Sequence, residues 1–286
     1  MEILNRRILE EKIFIGLMLT SLFIVIGSLI FVVTIIVFNG VSSLSIQFFT
    51  ETTGSGFYLG GGGGILNAII GSLILALPAT LIAFTLSIFI AMYLQKDFIT
   101  SRFASLIRTC LDLMWGIPSI VYGVFALTIM VAIGIKGGSI IFGIFALTLL
   151  EIPIITRSID ESIKVVPHGL KESAYSLGST RFETAISVVR RQAMPGIVAG
   201  ILLGFGRGIG DAASILLTVG DSNYFPTTLF DQTAALPTII LNLVGMPDPV
   251  VQRKAYAVAF VLLLIVLTIS ILTRYFTKKS SKYIIK

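Results

Sequence analysis

The chain has 286 residues, of which 55% are hydrophobic and 13% charged, and its mean hydropathy is +0.98. Soluble domains carry about 25% charged residues, so this composition excludes a soluble globular fold, a disordered chain and a collagen-like one, and it is that of an integral membrane protein. At about 20 apolar residues per helical crossing, the length accommodates about six crossings with modest loops and no separate soluble domain. Cys110 is the single cysteine, which excludes an intrachain disulfide and predicts a small buried apolar side chain there.

Six long apolar runs follow in chain order: Ile13 to Phe38, Ile65 to Leu94, Leu113 to Ile133, Ser139 to Ile155, Gly196 to Thr218 and Ala255 to Phe276. Each is long and apolar enough to be read as a membrane crossing, and together they predict an all-α, polytopic membrane protein. The first run follows Arg6, Arg7 and Lys12 as a signal peptide would. It exceeds a signal-peptide core and is not followed by a small-x-small cleavage site, so it is read as a retained helix.

The basic residues set the orientation. Arg6, Arg7 and Lys12, then Lys96, Arg102 and Arg108, then Arg157, Lys164, Lys171, Arg181, Arg190 and Arg191, and finally Arg274, Lys278, Lys279, Lys282 and Lys286 all fall on one side of six crossings. These are seventeen of the 21 Lys and Arg residues. By the positive-inside rule that side is cytoplasmic and holds both termini. The net charge of +6 is thus a matter of topology and not the mark of a nucleic-acid partner. The resulting division is a cytoplasmic segment at 1–12, a transmembrane domain at 13–276 and a basic cytoplasmic tail at 277–286. Outer loops fall at 39–64 and 219–254, and a cytoplasmic loop at 157–194.

Two outer segments stand out. Gly60 to Gly64 is a run of glycines unable to hold a helix and is read as a flexible hinge. It lacks the G-x-x-x-x-G-K-[ST] pattern of a phosphate-binding loop, which is absent throughout the chain, so nucleotide hydrolysis must come from another polypeptide. From Val219 to Lys254, Pro226, Pro237, Pro247 and Pro249 interrupt a segment whose apolar stretch Ile239 to Val244 predicts a short helix on or in the outer face. A local echo, SIVYGVFALTIM at Ser119 to Met130 and SIIFGIFALTLL at Ser139 to Leu150, is read as shared packing composition, not as a repeat.

The fifth run carries the chemistry. Arg207 lies about 12 residues into it, roughly 18 Å along the helix, where a charged side chain is expensive and must face protein or water. At about 100° per residue, Arg207, Asp211, Ser214 and Thr218 share a narrow sector, with Gly196, Gly200 and Gly204 in or beside it. Phe205, Ile209, Leu202 and Leu216 point the other way, which predicts a lipid-facing side. Glycines at a spacing of four permit close helix packing, and Gly204, Gly206, Gly208 and Gly210 allow the helix to unwind. Arg207 and Asp211 are readable as a packing ion pair or as the lining of a solute path, where the guanidinium fork suits an oxyanion. Gly208 to Asp211 also fits the G-x-G-D pattern of intramembrane aspartyl proteases, but those need a second membrane aspartate, and Asp112 and Glu151 both read as lying toward cytoplasmic helix ends. His168 is the single histidine and is expected solvated in a loop. No metal-ligand cluster is present in the sequence.

The stretch from Arg157 to Met194 is too polar to span and reads as two or three short helices, Glu161 to Val166 and Leu170 to Leu177 among them. Within it, Glu172, Ser173 and Ala174, Gly178 six residues after the Glu, the pair Val188 and Val189, and Pro195 resemble the E-A-A-x-x-x-G loop by which ABC importer permeases engage their ATPase. The resemblance extends over most of the chain and is closest to the phosphate-specific permeases of the PstA type. It rests on Gly64 to Gly71 (GILNAIIG), Gly116 to Gly123 (GIPSIVYG), Ile154 to Arg157 (IITR) leading to Val166 and Pro167, Pro195 to Ile197, Arg207 to Asp211, and Ala235 to Pro237. Three positions depart from the usual pattern: Ser173 replaces Ala, Asp211 replaces Glu, and Arg190-Arg191 replaces Leu-Pro.

The resemblance implies a type I ABC importer permease (MetI-like) fold and a non-enzymatic subunit of an ATP-driven phosphate importer, or of an importer for another oxyanion such as sulfate or molybdate. It further implies a related second permease as heterodimer partner, two ATPase subunits that use the ATP, an extracytoplasmic phosphate-binding protein, and no cofactor on this chain. Arg207, Arg157 and Asp211 would line the anion path, with Ser214 and Thr218 on the same stripe. Glu172, Ser173, Ala174 and Gly178 would contact the ATPase. A secondary transporter working without an ATPase is the rival from another class.

Overall fold

The computed structural model describes residues 2–54 and 56–280, and all regular structure in them is helical. Lys282 and Lys286, in the basic tail, lie outside the described residues. Helix α1 (Glu2–Val41) is followed by a short α2 (Ile46–Thr50), then α3 (Leu66–Tyr93), α4 (Ser101–Gly116), α5 (Ser119–Ala132) and α6 (Ile140–Lys164). After them come α7 (His168–Ser176), α8 (Arg181–Thr184), α9 (Arg190–Ile209), α10 (Ala213–Thr218), α11 (Leu236–Val244) and α12 (Pro249–Ser280). Five stretches are long and apolar enough to cross a membrane, six when the bent pair α4 and α5 counts as one.

Helices α3, α6 and α9 form the centre. Helix α3 contains no charged residue, and Ala76, Ala79, Ala83, Ser87 and Ala91 make a buried stripe along it. Small residues at this spacing let α6 approach closely, and the two helices exchange side-chain bonds, Thr148 Oγ1 to Ala79 O (3.4 Å) and Ser87 Oγ to Ile152 O (3.2 Å). Toward the C-terminal end of α6, Ile155, Ile159 and Ile163 meet Val189, Ala193 and Ile197. At the opposite end of the bundle, α11 and the start of α12 close over Phe48, Phe57 and Ile65.

Several expectations drawn from the apolar runs are corrected by the fold. The third run is not one straight crossing: α4 and α5 are bent by 95° at Ile117 and Pro118, because proline lacks an N–H and forces the preceding residue into extended backbone, here φ −72°, ψ 129°. The fifth run is likewise broken, at Gly210 to Ala212. Its helix begins earlier than Gly196, since α8, a π-helical turn at Ala185–Val189 and α9 make one continuous stretch from Arg181 to Ile209. Helix α6 runs on to Lys164, nine residues past the expected end, so Glu151 lies mid-helix and not near its cytoplasmic end. Cys110 is exposed, because α4 buries only the face that carries Ala104 and Leu111.

The glycine run at Gly60 to Gly64 is packed and is not an open hinge. Gly64 sits among the carbonyls of Gln47, Phe48 and Glu51, its N–H donates to Thr52 O (3.0 Å), and the Lys254 ammonium donates to Gly61 O and to Phe57 O. Glycine is needed there for close backbone approach, with Gly60 at φ +83° and Gly63 at φ +118°.

Candidate functional site

The break in the fifth run is where the polar groups converge. Helix α9 ends at Ile209, and α10 restarts at Ala213. Asp211 is buried in the gap, and its Oδ2 accepts from the Ser214 N–H at 3.0 Å and from the Ser214 hydroxyl. Thr218 Oγ1 donates to Ser214 O at 2.8 Å. A carboxylate accepting the first free N–H groups of a helix satisfies them and opposes the positive end of its dipole. Asp211, Ser214 and Thr218 therefore form one buried, internally bonded set.

Arg207 stands apart from it. Its side chain is half exposed, and the contact from Nη1 to Asp211 Oδ1 is 3.9 Å. Nor does it lie at mid-helix, since unwinding at Gly210 puts it in the last turn of α9. The side expected to face lipid is reassigned in part: Phe205 and Ile209 are buried against Ala76 of α3 and apolar residues of α12, whereas Leu216 is exposed and Leu202 partly so, as expected, and Leu203 and Arg207 are exposed.

The glycines of α9 meet α6 in an antiparallel ladder. Gly196 lies on Ser162, Gly200 on Ser158, Gly204 on Ile155 and Gly208 on Glu151. A methyl group at any of the four would overlap the facing side chain. Gly206 and Gly210 are not part of this seam; around Gly206 there is open space. At the far end of the ladder Glu151 is fully buried, with no charged partner among the described residues and with the Thr80 hydroxyl of α3 facing it. Sequence reading passed over it because the fourth run was read as ending at Ile155, which put Glu151 within about one turn of a helix end rather than at mid-helix. The Glu151-to-Gly208 pairing has no sequence signal other than the spacing of the glycines.

The echo noted in the sequence has a packing role in this region. Gly123 of α5 rests on Ser214, and Gly143 of α6 rests on Val219 with Thr218 nearby. Both copies supply the missing side chain that α10 needs as it inserts.

Arg157 belongs to a different cluster. Its Nε is 3.0 Å from Asp112 Oδ1, and its Nη1 is 3.6 Å from Asp160 Oδ2 and 3.4 Å from Glu161 Oε1. The fully buried Asp160 is the hub, since Arg108 grips it through Nε (2.8 Å) and Nη2 (2.9 Å) while Lys164 Nζ is at 3.0 Å. The structure thus brings Asp211, Ser214 and Thr218 together with Arg207 beside them, and sets Arg157 a turn and more along α6 from the glycine-to-Glu151 contact.

The E-A-A-like residues form α7. Gly178, at φ +86°, ends it, with Gly178 N donating to Tyr175 O and Ser179 N to Ala174 O, a turn glycine adopts without strain. Ala174 is buried, Glu172 and Ser173 are exposed, and the Ser173 hydroxyl is satisfied by Gly169 O at 2.8 Å, so serine in place of alanine leaves the helix intact. The helix is docked onto the α3–α4 turn by Lys171 Nζ to Asp97 Oδ2 (3.3 Å), and α8 by Arg181 Nη1 to Asp97 O (2.8 Å). Arg190-Arg191 lies within continuous helix following the π-helical turn.

The motifs around Asn67 and Leu236 are stitches. Asn67 donates to Thr53 Oγ1 and Ser222 O, both at 2.8 Å, and Leu236 N donates to Ser72 Oγ at 2.8 Å. The Tyr58 hydroxyl donates to Asp221 Oδ2 at 2.8 Å, and burial together with that carboxylate raises its pKa. Among the described residues no cluster of His, Cys, Asp and Glu is arranged to hold a metal ion.

Comparison with known proteins gives concordant matches. The family model described as the binding-protein-dependent transport system inner membrane component matches residues 83–282. The phosphate transport system permease protein PstA of Haemophilus influenzae is 32% identical over 267 residues, covering 93% of each chain. That of Yersinia pestis is 34% identical over 263 residues, covering 92% of this chain and 87% of the relative. Among solved structures, the inward-facing MetNI methionine ABC transporter superposes with a TM-score of 0.64 at 16% identity, over 76% of this chain and 96% of that one. A bacterial alginate ABC transporter does so with a TM-score of 0.57 at 15% identity, over 92% and 94%. At these identities the structures establish a shared fold.

Proposed function

Since the chain belongs to the family of binding-protein-dependent transport system inner membrane components, we propose that it is the membrane permease of an ATP-driven importer of inorganic phosphate. The chain is a transport permease, not an enzyme, and a multi-pass membrane protein. In this reading Arg207 is the anion contact. The observation that carries it is a guanidinium at a helix break, half exposed and held at only 3.9 Å by Asp211, its one ion-pair partner among the described residues. That carboxylate is already engaged by Ser214. A loosely held fork of donors on an open helix side suits a tetrahedral oxyanion. Asp211, with Ser214 and Thr218 behind it, holds the break in shape and tethers Arg207 between anions. Arg157 acts nearer the cytoplasm, where the Asp160 cluster joins α4 to α6.

The partners follow from the same reading: a related permease covering the open side of α9, two ATPases receiving α7 through Glu172 and Ser173, and an extracytoplasmic phosphate-binding protein on the stitched outer surface. ATP is used by the ATPases, and this chain holds no cofactor. Both termini are cytoplasmic, as the basic residues require.

Phosphate uptake by vesicles carrying the whole complex tests the reading. Arg207→Gln is expected to abolish uptake while the subunits still assemble, and normal uptake by that variant would reduce Arg207 to a packing residue and overturn it.

A further inference from the structure

Glu151 is a carboxyl group that the packing leaves without a charged partner among the described residues, in the seam that holds α6 to α9. Its side chain is fully enclosed, and the donor that faces it is the neutral hydroxyl of Thr80. A charged carboxylate in such a place costs several kcal/mol. Gly208, against which it lies, is in the last turn of α9, where the helix dipole presents its negative end and adds to that cost. Any state in which Glu151 is charged therefore needs a cation.

The surroundings offer one. Of the helices packed on α6, α3, α5 and α10 carry no charged residue, and α3 contributes the neutral hydroxyl of Thr80. Helix α4 brings Arg102 in its first turn, Arg108 on Asp160 and Asp112 on Arg157, the last two in the cytoplasmic cluster. Helix α9 brings Arg190 and Arg191 at its start and Arg207 at its end, next in sequence to Gly208. Asp211, just beyond, is taken by Ser214. No side chain at 204, 206, 208 or 210 stands between Arg207 and the seam, and turning Arg207 away sacrifices only a 3.9 Å contact.

We propose that Glu151 is the second counter-ion of Arg207: in the alternate conformation of the transporter the seam parts at its Gly204–Gly208 end, and Arg207 pairs with Glu151. The carboxylate competes with the anion for the same guanidinium, so an incoming anion binds Arg207 only by displacing Glu151. This rests on the reading of Arg207 as the anion contact.

The test uses the assembled complex in lipid nanodiscs, nucleotide-free and then trapped with ATP and vanadate, with Glu151→Gln, Arg207→Gln and the double variant compared by melting midpoint. Without nucleotide the two substitutions are expected to add, because the residues are unpaired there. In the trapped state each is expected to lower the midpoint by about 2–4 °C, and the double variant by no more than either alone. Glu151→Met, of similar volume and apolar, should assemble as the wild type does and repeat the Gln result. Additive shifts in both states overturn the proposal. Uptake separates this from failure of the path reading: Glu151→Gln is expected to slow turnover about tenfold with unchanged KM for the loaded binding protein, and Glu151→Asp to restore part of it. Loss of uptake in Arg207→Gln with additive midpoints leaves Arg207 on the path and removes Glu151 from it, whereas normal uptake in Arg207→Gln removes both.

Discussion

The backbone of Gly208 lies directly against the carboxyl group of Glu151, close enough that a methyl group at position 208 would overlap Oε1. The contact ends a ladder in which Gly196, Gly200, Gly204 and Gly208 of α9 receive Ser162, Ser158, Ile155 and Glu151 of α6. It sets how closely the helix bearing Arg207 can approach the protein centre.

Gly208→Ala is expected to destabilise the complex by about 1–3 kcal/mol, the ordinary cost of overpacking. Gly206→Ala, facing open space two residues away, is expected to be neutral or slightly stabilising through helix propensity. Melting midpoints of the two variants check the seam, and equal effects would show that it does not govern packing.

Asp160→Asn is expected to cost about 3 kcal/mol, because it leaves Arg108 and Lys164 facing a neutral group at a buried position. The loss should be smaller for Asp112→Asn, whose carboxylate is half exposed. Thermal unfolding of the two variants in one lipid composition measures the difference.

Gly178→Val is expected to strain the turn that ends α7, because φ +86° is unfavourable by about 1–2 kcal/mol for a side chain with a Cβ. The variant should still insert in the membrane, with ATP hydrolysis no longer stimulated by the loaded binding protein. Vesicle ATPase assays check this, and full stimulation would separate α7 from coupling.

Asp231 gives a pH dependence. The amides and hydroxyls of Thr227 and Thr228 all donate to its carboxylate, and the backbone bond from Thr228, followed by those from Thr227, holds its pKa well below the usual value. A depressed carboxylate contributes stability that is complete above its unfolded pKa, about 3.9, and is lost as pH falls toward the folded value. Protection of the amides in segment 227–231, taken relative to their intrinsic exchange rate at each pH, should therefore be full at neutral pH and fall on acidification below about pH 4, and Asp231→Asn should make it low at both.

Legibility of the fold in the sequence followed physical range. The presence and number of crossings came from runs of apolar residues, a property of each segment alone. The ends and breaks of those helices did not: Pro118 lies inside an uninterrupted apolar run, yet its missing N–H turns the chain there. The glycines of the fifth run were readable as permitting both close packing and unwinding, and both occur, the first at 196 to 208 and the second at 210. Which glycine does which depends on what faces it. The same limit held at the polar stripe, where helical periodicity grouped Arg207 with Asp211, Ser214 and Thr218, and the break at Gly210 left Arg207 with only a 3.9 Å contact to Asp211 while the other three bond closely to one another.

By itself the sequence determined that the chain is a helical membrane protein, which side carries the positive charge, and which short motifs point to an importer permease, because hydropathy, charge and local spacing act residue by residue. Only the tertiary structure decided that Arg157 joins Asp112 and Asp160, that Gly60 to Gly64 is clamped, and that Glu151 faces Gly208 without a charged partner among the described residues. Each of these is a pairing between distant segments, where the cost of burying a polar group depends on what the opposite helix supplies and not on the residues beside it in the chain.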